Sequence, residues 1–257
     1  MAIYVFTDTQ MKALADTIRA KDGSTGDLTI EQMTAHIEAL TSGPIATGWK
    51  ECWVEKPKEL PNTTFIDTGI AASFDHHLTI TCRSGIAKMS APFNATDATG
   101  AKNRCGINFL PTSNRLQVYW GSYADTSLIV DRVDLDVTND MVINQNKTGI
   151  TIDGKVAGGG DTTWSTTYVA TGSSPTSTYK LFTYSRNTSI HFGLFRSAVI
   201  RNYNPENNNG DPLYTIVPEV SEGFTGRLKI TDHTLNTTRY VDIPDGFIYH
   251  VEGNPTS

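Results

Sequence analysis

His77–Arg83 reads "HLTITCR": Leu78, Ile80 and Cys82 alternate with Thr79, Thr81 and Arg83. Strict alternation of apolar and polar residues over this length is the signature of a half-buried β-strand, because successive side chains leave opposite faces. The same texture recurs outward in both directions, in "RCGINFL" (104–110), "RLQVYWG" (115–121), "LIVDRVDLDV" (128–137), "GITIDGK" (149–155), "SIHFGLF" (189–195), "GRLKIT" (226–231) and "GFIYHV" (246–251). Clusters of Gly, Asn, Ser and Pro separate them, such as "DGKVAGGGD" and "NYNPENNNGDP". Many short strands divided by turn signals predict an antiparallel sandwich or barrel from residue 45 onward.

Before residue 45 the period changes. Thr7–Gln10 and Thr29–Gln32 are capping boxes, in which a hydroxyl and a Gln amide satisfy the first amides of a helix. Met11, Leu14, Ala15 and Ile18 follow the first at helical spacing; Met33, His36, Ile37 and Leu40 follow the second. Gly23 and Gly43-Pro44 close the two helices. A hairpin of two helices of about three turns has almost no interior and is marginal alone. Its stripes need cover from the β domain, from copies of the chain or from another protein. Met11, Leu14, Ile18, Met33, Ile37 and Leu40 are therefore the candidate attachment and oligomerisation residues.

The chain has 257 residues and a formal net charge of -6, which disfavours a nucleic-acid partner or an anionic membrane. No apolar run approaches a membrane span, and no basic stretch followed by an apolar one predicts a signal peptide. Cys52, Cys82 and Cys105 are odd in number and lack metal-ligand spacing, so free thiols in a chain folded in a reducing cytoplasm are expected.

Catalytic constellations are sparse. No Glu falls between Glu59 and Glu206, which leaves no paired glutamates on a central strand. In "DRVDLDV", Val133, Leu135 and Val137 are expected in the core, with Asp134 and Asp136 on the solvent face. Asp131, Asp134, Asp136 and Asp140 supply hard oxygens for Ca²⁺, but without a DxDxDG loop no metal or other cofactor is expected. His76 and His77 are adjacent and point to opposite faces, an arrangement poor for chelating one metal. The five Asn-x-Ser/Thr sequons read as Asn/Thr-rich composition. Aromatics beside amides and carboxylates are a better signal, since an aromatic face packs on a sugar ring while polar neighbours bond its hydroxyls. Trp120, Tyr123, Asp125, Asp161, Trp164, Asn202 and Tyr203 are the candidate ligand-binding residues, although alternation must send Tyr119 or Trp120 inward.

Two resemblances refine this. The leader "TDTQMKALADTIRAKDGSTGDLTIEQMTAHIEAL" (7–40) resembles the N-terminal segment of many tail-fibre and baseplate-associated proteins of phages and prophages of Gram-positive bacteria. The remainder resembles the concanavalin-like jelly roll in its laminin-G-like form. "FIDTGIAASFDHHLTITCR" is similar to its opening strand pair and "GITIDGKVA" to its strand-turn-strand. "YKLFTYSRNTSIHFGLFRSAVIRN", "PLYTIVPEV" and "GRLKITDHTLNTTRYVDIPDGFIYHVEG" are similar to the strands that follow, with Ile230-Thr231-Asp232 in place of the usual LYD.

The resemblances imply an attachment segment over 1–44 and a laminin-G-like domain over 45–257. They imply a virion protein, folded in the host cytoplasm and released by lysis, in which the β domain recognises a bacterial surface glycan without enzymatic activity. Homotrimerisation and contact with other virion proteins are expected. The alternatives are a structural virion component with no receptor site and a glycan-degrading enzyme of the same fold.

Overall fold

The computed structural model describes Lys12, Ala15 and Asp16, and then residues 48–251 apart from 58, 62, 85–91, 97–102, 111–114, 123–127, 132–134, 170–172, 184–192, 207–209 and 222–224. The chain divides into two units, Met1–Gly48 and Trp49–Ser257. In the first, Lys12, Ala15 and Asp16 are helical, Ala15 being buried and its two companions exposed. The rest of the predicted hairpin, with Met11, Leu14, Ile18, Met33, Ile37 and Leu40, lies outside the described residues.

The second unit is built from strands arranged in two antiparallel sheets. The larger sheet contains β1 (Lys50–Lys56), β3 (His76–Ser84), β8 (Met141–Asn146), β9 (Gly149–Lys155), β10 (Asp161–Thr167), β12 (Gly193–Asn202), β13 (Pro212–Val220), β14 (Arg227–Asp232), β15 (Thr237–Asp242) and β16 (Ile248–Val251). The smaller contains β2 (Ile66–Ala71), β4 (Asn94–Thr96), β5 (Asn103–Leu110), β6 (Arg115–Ser122), β7 (Leu128–Asp131) and β11 (Thr178–Leu181). The larger runs β10-β9-β8-β3-β12-β1-β13-β14-β15 with β16 on β1, and the smaller β2-β11-β4-β5-β6-β7.

Alternation explains why the sheets face each other. β2 reads buried-exposed throughout, with Ile66, Thr68 and Ile70 inside. Leu78, Ile80 and Cys82 of β3, Ile143 of β8, Ile152 of β9 and Ala198 and Ile200 of β12 meet Ile107, Phe109, Val118, Trp120 and Tyr179 of the other sheet in one continuous core. Phe93 stacks between Tyr179 (centroids 5.1 Å) and Phe195 (6.0 Å), so three chain segments close around one ring. Gln145 also crosses the gap: its Nε2 donates to the carbonyls of Gly106 and Tyr119, each at 3.2 Å.

β12 and β13 pair from Arg201 back to Ala198 and then diverge towards Gly193 and Val220. β1 enters the fork, its Val54–Lys56 against Phe195–Gly193 and its Lys50–Glu51 against Val220–Glu219. The register of β12 on β3 slips between Phe195 and Ser197, a bulge that bends a strand where its neighbour changes. Arg196, the extra residue, donates to the Cys52 carbonyl at 3.1 Å and pairs with Glu51 at 3.3 Å, fastening β1 in place.

One strand expectation is corrected. β7 is Leu128–Asp131, Val133 and Asp134 lie outside the described residues, and Asp136 heads a turn instead of standing on a solvent-facing strand. Its carboxylate accepts from the Thr138 amide (3.0 Å), the Thr138 hydroxyl (2.6 Å) and Asn139 Nδ2 (2.8 Å), an Asx turn that competes with strand continuation. Leu135 is buried and Val137 packs against the core, as the apolar pattern required. The three cysteines are free thiols and buried. Among the described residues, no helix is long and apolar enough to cross a membrane.

Candidate functional site

Because Leu78, Ile80, Ile143, Ile152, Ala198, Ile200, Ile216 and Ile230 point into the core, the residues between them line the outer face of the larger sheet. The registers align these residues in a row across the strands: Ser165, Thr151, Asn144, Thr79, Val199, Thr215, Thr231 and Thr238. All but Val199 carry a hydroxyl or an amide. Thr79 Oγ1 donates to Asn144 Oδ1 at 2.9 Å, and Thr215 Oγ1 lies 2.8 Å from His233 Nε2. Strand separation repeats hydrogen-bonding groups along this row about every 4.8 Å.

A parallel line nearer the strand ends carries nitrogen bases. His77 pairs in register with Arg201, whose Nη1 donates to Thr79 Oγ1 at 3.2 Å. Arg201 in turn opposes Pro212 of β13, where a register slip makes Leu213 the extra residue, and His233 donates its amide to the Leu213 carbonyl at 2.9 Å. His77 is 5% exposed, and Asn146 Nδ2 lies 3.5 Å from its Nδ1. Burial holds its pKa below the ordinary histidine value; a hydrogen bond with Asn144 opposes the shift and the Arg201 charge adds to it.

The line ends at a cleft of about 570 Å³ lined by Asn202, Asn204, Gly210, Asp211, Pro212, Leu213, His233 and Thr234. The adjoining turn is rigid for a local reason. Asp232 accepts from the Thr234 hydroxyl (2.6 Å) and from the amides of Thr234 (2.9 Å) and Leu235 (3.0 Å). These bonds, the Thr234 hydroxyl first, hold its carboxyl below the usual carboxylate range. Asn236 then takes the left-handed conformation, φ 50°, that Asn tolerates better than most residues.

A second cleft, of about 400 Å³, lies by β9 and β10 and brings Asp140, Asp153 and Asp161 together with Lys155, Gly154, Thr162 and Thr163. These carboxylates already have partners: Asp140 with Arg83, Asp153 with the Thr163 hydroxyl at 2.6 Å, and Asp161 with Lys155 at 3.7 Å. Among the described residues no group of three or more His, Cys, Asp or Glu is arranged to hold a metal ion.

The candidate ligand residues do not form one site. Asn202 lines the first cleft and Tyr203 stands beside it, its amide on the Asp75 carbonyl (2.7 Å), its hydroxyl 3.1 Å from Thr148 Oγ1 and Lys147 Nζ 5.0 Å over its ring. Asp161 belongs to the second cleft. Trp120 and Trp164 are core residues and cannot serve as sugar platforms: Trp120 is fully buried, 6.4 Å from Phe74, and Trp164 is the buried residue of β10. Tyr123 and Asp125 lie outside the described residues.

His76 and His77 do face opposite sides. His76 Nδ1 lies 3.1 Å from the Tyr179 hydroxyl at the core edge. Thr79, Asn144, Arg201, Thr215 and His233 were not among the predicted site residues; each is ordinary in its own strand, and only the cross-strand registers bring them together. No family model matches the chain, and no curated protein sequence matches it.

Proposed function

We propose that this chain is a tail-associated receptor-binding protein of a phage or prophage of Gram-positive bacteria, and that it recognises a host-surface glycan. In this reading the β unit is a jelly roll of the laminin-G-like kind, and the 1–44 segment attaches it to copies of itself and to other virion proteins. Most segments that carry the resemblance fall on strands in turn, β2–β3, β11–β12, β13 and β14–β16; "GITIDGKVA" departs from it, since Asp153 and Gly154 lie within the single strand β9 and form no turn.

The observation that carries the ligand class is the hydroxyl- and amide-bearing row on the outer face, adjoining a cleft lined by Asn202, Asn204, Asp211 and His233. Repeated small donors and acceptors suit a polyhydroxylated chain, which presents the same kind of group at a regular interval. A shallow site of this kind binds weakly, and several copies on one particle would convert weak binding into firm attachment.

The test is binding of the labelled full chain to a panel of Gram-positive cells and to polysaccharide stripped from their walls, with Asn202→Ala and Thr215→Val compared. Binding to at least one cell type and to its polysaccharide, reduced several-fold in both variants, is the expected result. Failure to bind any cell would sink the receptor reading and favour a structural virion role. Release of new reducing ends would favour the enzyme.

A further inference from the structure

On the larger sheet Arg83, Arg196 and Arg227 each have a carboxylate partner, in Asp140, Glu51 and Glu219, and Arg239 donates to the Thr68 carbonyl. Arg201 has no acid among the described residues and only a hydroxyl for its guanidinium, which donates to Thr79 Oγ1, while His77 stands beside it in register. In a chain of net charge -6, an outward-facing arginine held against a hydroxyl and left without an acid needs a reason.

The surrounding charges have other engagements. Asp75 is taken by Lys147 at 2.7 Å, and Asp232 by the amides and hydroxyl of its own turn. Asp211 lines the cleft beyond Leu213. Arg201 is thus flanked by His77 on one strand and the β13 bulge on the other, with Thr79 holding one guanidinium nitrogen and the rest of the fork available for a planar or tetrahedral anion.

We propose that Arg201, held in place by Thr79 and His77, binds the acid group of an acidic glycan, whose hydroxyls occupy the Thr215–His233 side and the adjoining cleft. The inference rests on the glycan reading of the same face and adds a sign to it: the ligand carries carboxylate or phosphate. Charge complementarity selects this occupant, and the Thr and Asn side chains distinguish a sugar chain from a merely acidic polymer.

The experiment measures direct binding of the full chain, by calorimetry, to polygalacturonate, poly(glycerol phosphate), dextran and poly-glutamate. One of the two acidic hydroxylated polymers is expected to bind more tightly than dextran and poly-glutamate, and which one identifies the acid group. Arg201→Gln should weaken that binding about tenfold or more, the scale of one charge-assisted hydrogen-bonded contact. Arg201→Lys, which keeps the charge and loses the fork, should weaken it less and guards against a folding defect in the first variant. Equal binding of dextran or poly-glutamate, no binding of either acidic polymer, or an Arg201→Gln chain indistinguishable from wild type overturns the inference. The cell-binding test stands apart: a chain that attaches to cells but prefers dextran keeps the receptor reading and loses this one.

Discussion

Lys56 is 1% exposed at the end of β1, and its Nζ donates to the Thr64 carbonyl at 2.5 Å. Burial alone lowers its pKa from 10.5 to about 8. Below about pH 8 the amine is charged in both folded and unfolded chains, and the folded state bears the full cost of desolvating it. As pH rises towards 10.5 the folded amine is already neutral, so that cost fades and stability rises. Lys56→Met is therefore expected to stabilise the protein at pH 7 by about 1–3 kcal/mol, with a gain that shrinks between pH 8 and 10.5; urea melts at several pH values measure it. A gain independent of pH would mean that packing, not charge, was responsible. Nothing in "KECWVEKPKEL" marks this lysine as buried, because a Lys after a strand is ordinarily solvated. Gly106 was equally silent. At φ 146°, a Cβ there would lie 1.5 Å from Asn94 Oδ1, which itself accepts the Ile107 amide at 2.8 Å, so a neighbour in space imposes the glycine.

At the scale of elements, alternation was the readable signal and pairing was not. "HLTITCR", "GITIDGK" and "GRLKIT" lie on β3, β9 and β14 as their period demands. The fork that admits β1 has no local signature: "KECWVEK" buries Cys52, Trp53 and Val54 in succession, since it is covered on more than one side. The hydroxyl- and amide-bearing outer face was illegible for the same reason, as it exists only through registers between strands distant in sequence. The last strand invites a test. β16 pairs with Cys52–Glu55 and is held by His250 Nε2, 2.7 Å from Glu55 Oε2, and by Phe247, whose ring lies 5.7 Å from that of Phe182. Phe247→Ala removes the apolar anchor at a cost of about 3–5 kcal/mol if the space does not collapse. Because β16 is short and stands off the main path of the sheet, paired with β1, that loss should first release β16 from β1. Hydrogen exchange should then show protection lost at β1 and β16 amides while β3 and β8 stay protected. Uniform loss across the sheet would mean that the strand opens only with the whole fold.

For the whole molecule, the division after Gly48 sets apart a β unit in which β3, β8, β9 and β12 pack on β5, β6 and β11. The stripes expected of the first 44 residues, Met11, Leu14 and Ile18 and then Met33, Ile37 and Leu40, lie outside the described residues; on sequence alone they are too few to cover one another. If copies of the chain cover them, a fibre-like assembly follows: light scattering should give about three times the 28.1 kDa of one chain. A chain trimmed to begin at Ile45 should fall to a monomer with unchanged β-sheet circular dichroism. Weakened stripes should do the same in proportion, so Leu14→Ser with Ile37→Ser is expected to lower the mass of the full chain at micromolar concentration. Two monomers, full and trimmed, would remove the oligomerisation role and leave the expected hairpin either as a dock for a foreign partner or as a flap on its own β domain. A trimer that survives trimming would move the contact onto the β unit and would equally remove the oligomerisation role from the first 44 residues.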